Sequence, residues 1–172
     1  MIRNAILATL LALGIAGAAV AADAPTDPQI AHIAYTAGQI DIAAAEQAIK
    51  KSKNADIIDF AKQMAADHKA VNDQAVALVT KLGVTPEDNP TSQALSKQAA
   101  DKLAELAKLK GADYDKAYVA NEVAYHKAVN GALETQLIPS ASNAELKSLL
   151  QTGLKIFQGH QQHAEHLVEE VK

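Results

Sequence analysis

Six histidines and no cysteine occur in the 172 residues, so any metal chemistry here rests on imidazole and carboxylate. That excludes thiolate zinc sites, iron–sulfur clusters and disulfide staples. Three of the histidines, His160, His163 and His166, fall three residues apart in GHQQHAEHLVEE (159–170). His68 directly follows Asp67 in AADHKAVN, and His126 lies four residues after Glu122. Imidazoles interleaved with acids suit a borderline transition metal: zinc, copper, iron or manganese. The chain shows no Ser-His-Asp arrangement, glycine-rich phosphate loop or paired-carboxylate hydrolase signature, and no organic cofactor is expected. Whether the histidines act together depends on which way each ring points, and so on the elements that carry them.

Alanine, leucine, lysine, glutamate and glutamine dominate, all strong helix formers. Prolines occur only at 25, 28, 86, 90 and 139, outside every periodic segment. No window alternates as a half-buried strand does. The expectation is all-α. A first helix starts with Asp27 as N-cap and Pro28 just inside, with an apolar stripe of Ile30, Ile33, Ala37, Ile40 and Ala44. KKSKN (50–54) breaks it. A second carries Ile57, Phe60, Met64, Val71, Ala75, Leu78 and Leu82, and ends at Gly83. VTPEDNPTS (84–92) is a linker to a short amphipathic helix that stops at Gly111 and by default covers one end of the bundle. The next helix runs from Asp113 to about Leu137, where Pro139 stops it. A capping box at Ser142 and Glu145 opens the last helix, which runs to Val171. Four long helices in two hairpins, joined by one long crossover with an extra short helix, make a ferritin-like four-helix bundle.

At 100° per residue, His68 falls in the middle of its stripe, flanked by Asp67 and Asn72. Asp41 shares a face with Ala37 and Ala44, whereas His32 and Glu46 point away. Glu122 and His126 lie on the side marked by Tyr118, Tyr125, Val129 and Leu133. His160 lies inside the stripe of Leu150, Gly153, Phe157 and Ala164; His163 sits at its margin and His166 outside. Counted back from the hairpin near Lys53, Asp41 and His68 differ in height by only about 4–5 Å at a rise of about 1.5 Å per residue. Glu122, His126 and His160 fall at similar depth in the second hairpin. The expected metal ligands are therefore Asp41, His68, Glu122, His126 and His160.

Arg3 precedes an apolar run, AILATLLALGIAGAAV (5–20), followed by small residues, the three-part pattern of a secretory signal peptide. Residues 1–22 are read as that leader, with cleavage after Ala21 or Ala22. Residues 23–172 are read as one domain, and the protein as periplasmic with no membrane span after cleavage. The formal charge of −4, with no basic block, makes nucleic acid a poor partner. A homodimer is left open.

The run AGQIDIAAAEQAIKKSKNADIIDFAKQMAADHKAVN (37–72) resembles the first half of the domain of unknown function 4142 family. Gly38, Asp41, Phe60, Ala61, Met64, Asp67, His68 and Asn72 stand at its motif positions. YDKAYVANEVAYH, with Tyr118 and His126, and HQQHAEHL, with His160, Ala164 and Leu167, fit its later pieces. The resemblance covers nearly all of the expected mature chain. It implies an exported ferritin-like bundle with a metal site. Asp41 is a departure, because the family commonly has glutamate there; IFQG (156–159) is another, replacing a leucine-proline before the last histidine.

A carboxylate-bridged di-iron centre needs inward Glu-x-x-His pairs, and none is present. Three histidines with one or two acids suit a single ion. The expected function is metal binding or envelope stress protection rather than turnover. An enzyme version would be a mononuclear redox site acting on oxygen species. The competing class is a metal-free structural or interaction module of the envelope.

Overall fold

The computed structural model describes residues 24–171, so the expected leader, residues 1–22, lies outside the described residues. The described residues are helical: α1 (Asp27–Lys51), α2 (Ala55–Leu82), α3 (Pro90–Ala107), α4 (Gly111–Ala132), a π-helical turn (Leu133–Leu137), α5 (Ile138–Ser140) and α6 (Ala144–Glu170). No helix among them is long and apolar enough to cross a membrane. The architecture is the expected ferritin-like bundle, with α1, α2, α4 and α6 as its long helices.

Helix ends follow side chains that satisfy orphan backbone groups. Asn54 accepts from Asp56 N (2.9 Å) at the start of α2, and Asn89 from Ser92 N (3.1 Å) at the start of α3. Gly83, at φ 64°, closes α2 in the left-handed conformation that costs glycine least. Two expected caps are displaced by one residue. Thr26, not Asp27, is the N-cap of α1, with its N–H donating to Gln29 Oε1 at 3.2 Å. This frees the Asp27 carboxylate to accept from Ser142 N (2.8 Å) and Asn143 N (2.9 Å), which pins the start of α1 to the turn before α6. Asn143, rather than the Ser142–Glu145 box, caps α6 through Glu145 N and Leu146 N. Asparagine one position later meets the same donors, while the Ser142 backbone is already held by Asp27.

Pro139 does not stop the helix where expected. The helix widens into the π turn and continues through Pro139 to Ser140. Widening just ahead of the proline relieves the clash its ring would make with the carbonyl one turn back.

Hydrogen bonds place α3. Asn89 Nδ2 donates to Gln29 O (3.4 Å), Gln47 Nε2 to Leu103 O (3.0 Å) and Lys51 Nζ to Ala107 O (2.7 Å). The crossover helix thus runs parallel to α1 along the bundle's flank, touching α4 as well, and does not cover an end. It returns the chain to the far end of the bundle, so α4 begins beside the end of α1 and runs parallel to α2.

Two apolar layers fill the interior. One joins Ala44, Ala48, Ile57, Phe60, Met64, Tyr118, Ala164 and Leu167; the other joins Ile30, Ile33, Leu133, Leu137, Leu146, Leu150 and Phe157. At about 25 cal/mol per Å² of buried apolar surface, these layers supply the main force holding the helices together. Between them lies a polar layer of histidines and carboxyls.

Candidate metal centre

Asp41 on α1, His68 on α2, Glu122 and His126 on α4, and His160 on α6 are all buried, none more than 3 % exposed. Each sits where its helix passes mid-bundle, and the structure brings all five together. His68 Nε2 and His126 Nε2 are 3.4 Å apart. Asp41 Oδ2 lies 3.6 Å from the first and 3.5 Å from the second. His160 joins His68 and His126 in one cluster whose ligating atoms lie within 4.8 Å of one another; Asp41, Glu122 and His126 form another.

Hydrogen bonds decide which lone pairs are free. His126 Nδ1 stands 3.0 Å from the Glu122 carbonyl, which can only accept, so Nδ1 carries the proton and Nε2 the lone pair. His160 Nε2 stands 3.0 Å from Asp67 Oδ2, so it donates to that carboxylate and leaves Nδ1 as the free nitrogen. His160 Nδ1, His68 Nδ1, Glu122 Oε2 and both Asp41 oxygens are buried without a hydrogen-bond partner. Each such orphan costs roughly 1–3 kcal/mol. A proton shared between the Asp41 and Glu122 carboxyls offsets part of that cost; the imidazole nitrogens have no such relief unless something else occupies them.

Burial also sets the charges. It pushes His68 down to about 2 and His126 to about 4, and lowers His160 despite its bond to Asp67. The imidazoles are therefore neutral at physiological pH, the form that ligates. Burial raises Asp41 to about 7, although its contact with Glu122 works the other way. It raises Glu122 well above the usual carboxylate range, with Asp41's charge adding to the effect. Two buried carboxyls without a cation hold on to protons.

The surroundings fix the rings. Phe157 stacks on His68 at 4.3 Å between centroids with the rings nearly parallel, and Tyr125 meets His126 edge-on while its hydroxyl donates to Ala37 O at 2.7 Å. Gly38 lets α2 approach α1: a Cβ there would lie 2.4 Å from Asn72 Oδ1. Asn72 in turn donates to Tyr35 O at 3.3 Å.

A four-coordinate ion with bonds of about 2.0–2.1 Å holds neighbouring donors about 3.3–3.4 Å apart. The spacings of 3.4, 3.5 and 3.6 Å among His68, His126 and Asp41 come close to that. The donors present thus suit a transition-metal ion in spacing, protonation and orphaned lone pairs. The remaining histidines stay outside. His163 is exposed and packs edge-on against Phe60, His166 is exposed beside Glu170, and His32 is 3.8 Å from Asp88. Asp67 was not among the expected ligands, yet it orients His160 from the bundle's edge, with its side chain 39 % exposed.

The sequence pattern of a family described as Domain of unknown function (DUF4142) matches residues 14–167. Comparison with curated proteins gives no sequence match. Among solved structures, "CopM in the Cu(II)-bound form" is similar in fold, with a TM-score of 0.66 at 11% identity, over 87% of this chain and 99% of that one.

Proposed function

The chain belongs to the domain of unknown function 4142 family, and on that premise we propose that it is an exported bundle that binds one transition-metal ion. The ligands are His68, His126 and His160, with Asp41 or Glu122 completing the set. The observation that carries this reading is the buried triangle of His68 Nε2, His126 Nε2 and Asp41 Oδ2, three potential ligand atoms 3.4–3.6 Å from one another. Copper(II) heads the ions to test, because three imidazoles and a carboxylate suit it and because the similarly folded CopM takes a Cu(II)-bound form. Zinc, iron and manganese follow.

The protein's own groups divide the work. Asp67 holds His160 in the tautomer that presents Nδ1, and the Glu122 carbonyl does the same for His126 Nε2. Phe157 and Tyr125 keep the rings from turning and exclude water. Asp41 and Glu122 exchange their protons for the ion's charge. Mostly apolar side chains line the cavity of about 390 Å³ that reaches His68, and the role we assign is metal binding or protection of the envelope rather than turnover. Export rests on the leader pattern of residues 1–22.

Thermal melting with and without metal tests the proposal. An ion at 100 times its dissociation constant adds about 2.7 kcal/mol, which at about 2–4 °C per kcal/mol raises Tm by roughly 5–10 °C. Melting unmoved by Cu(II), Zn(II), Fe(II) and Mn(II) would instead support a metal-free structural module.

A further inference from the structure

Two of the three histidines in GHQQHAEHLVEE take no part in the buried layer, yet they do not simply face solvent. Where the start of α2 meets the end of α6, a surface hollow of about 330 Å³ is lined by Asp56, Asp59, His163, His166 and Glu170 over the ring of Phe60. Segments more than a hundred residues apart thus bring three carboxylates and two imidazoles around one space. No lysine or arginine lines it. The cation nearest its acids is Lys62, an exposed side chain 3.0 Å from Asp59 that an incoming ion can displace.

One donor pair is already spaced for an ion. His166 Nε2 lies 3.2 Å from Glu170 Oε1, one turn apart in the last turns of α6. The negative end of the helix dipole there favours a cation. His163 stands one turn closer to the interior and packs edge-on against Phe60 at 5.0 Å. One further turn along the same face region is His160, whose partner Asp67 is itself part-exposed. The i, i+3 spacing therefore sets imidazoles in steps from the surface to the centre.

We propose that this hollow is a second, weaker site for a divalent transition-metal ion, which captures the ion at the surface and passes it by way of His163 to the buried centre. Ion binding in the hollow stands on its own; the hand-off rests on the buried-centre reading. The weaker affinity follows from geometry. Among the described residues, donors converge in sets of three only in the buried layer. The hollow's exposed side chains must be ordered by the ion they bind, at a cost in side-chain entropy.

Equilibrium dialysis of the untagged chain 23–172 against Cu(II), and separately Zn(II), counts the ions. The parent chain should hold two, the second at least tenfold weaker. His163→Ala with His166→Ala should lose only the weak ion, because both side chains are exposed; circular dichroism checks that the variant keeps the parent's helix content. Stopped-flow loading of the tight site should slow several-fold in that variant. His68→Ala with His126→Ala and His160→Ala should keep the weak ion while losing the tight one. Should that core variant fail to fold by circular dichroism, the surface variant carries the test. A surface variant that binds as many ions as the parent overturns the capture site. Loss of the weak ion with loading unchanged overturns the hand-off. A parent chain holding only the weak ion refutes the buried centre and leaves the hollow standing.

Discussion

Without an ion, the two buried carboxyls must hold protons that the unfolded chain would release, and this makes the metal-free protein sensitive to alkali. Asp41 is raised to about 7 and Glu122 well above its ordinary value, chiefly by burial. Unfolded, both ionise in the usual carboxylate range and hold no proton at neutral pH. Stability from these groups is therefore present at low pH and lost as pH rises through their folded values. The imidazoles act in the opposite sense. His68 at about 2 and His126 at about 4 destabilise the fold as pH drops below about 6.5, where only the unfolded chain takes up their protons. Above pH 7 the carboxyls alone decide. A proton held only by the native state is worth at most about 1.4 kcal/mol per pH unit, so each such proton can lower stability by up to about 2 kcal/mol between pH 7 and 8.5. With a urea slope of about 2 kcal/mol per molar, the midpoint should fall, by up to about 1 M for each such proton. The assay is urea unfolding of EDTA-treated protein across that range, followed by circular dichroism. Glu122→Gln should flatten the dependence, and so should a bound ion, whose charge takes the place of the proton. A midpoint that stays level or rises between pH 7 and 8.5 in the metal-free protein would mean that neither carboxyl keeps its proton in the native state.

Three further changes probe the supports of the site. Asp67→Ala, which frees His160 Nε2, should weaken metal binding by about 10–100-fold while leaving the melt of the metal-free protein nearly unchanged; titration calorimetry reads the affinity. Gly38→Ala drives a methyl into the Asn72 amide and should cost about 1–3 kcal/mol as overpacking does, visible as a Tm lowered by several degrees. Phe157→Ala strips the ring stacked on His68 and should cost about 3–5 kcal/mol, with a drop in metal affinity as His68 gains freedom to turn.

The bundle was legible because apolar periodicity, glycines and prolines speak directly to helix number and order. The faces of His68, His126 and His160 followed from the same arithmetic, since residues on one stripe of a straight helix share a side wherever that helix packs. Asp67 escaped because it lies 100° from His68, off the stripe; only its neighbour α6, carrying His160 at the same height, gives it a role. The signal available was an acid directly beside an inward histidine. The flank position of α3 was not legible either, because Leu95, Ala99 and Leu103 define an apolar face without saying which groove receives it. The hydrogen bonds from Gln47 and Lys51 to its last turns settle that. Caps shifted by one residue wherever two capping types stand in a row, as at Thr26 and Asp27. Pro139 misled because a π turn can absorb a proline that an α-helix cannot.

Metal content of the untagged chain 23–172 reads the buried centre itself. Inductively coupled plasma mass spectrometry would be run after extensive dialysis, which removes weakly held ions, beside a His68→Ala, His160→Ala variant. A buried centre gives about one equivalent of a single transition metal in the parent chain and none in the variant. Equal metal in both, or none in the parent even after reloading with copper, zinc, iron and manganese, would contradict it.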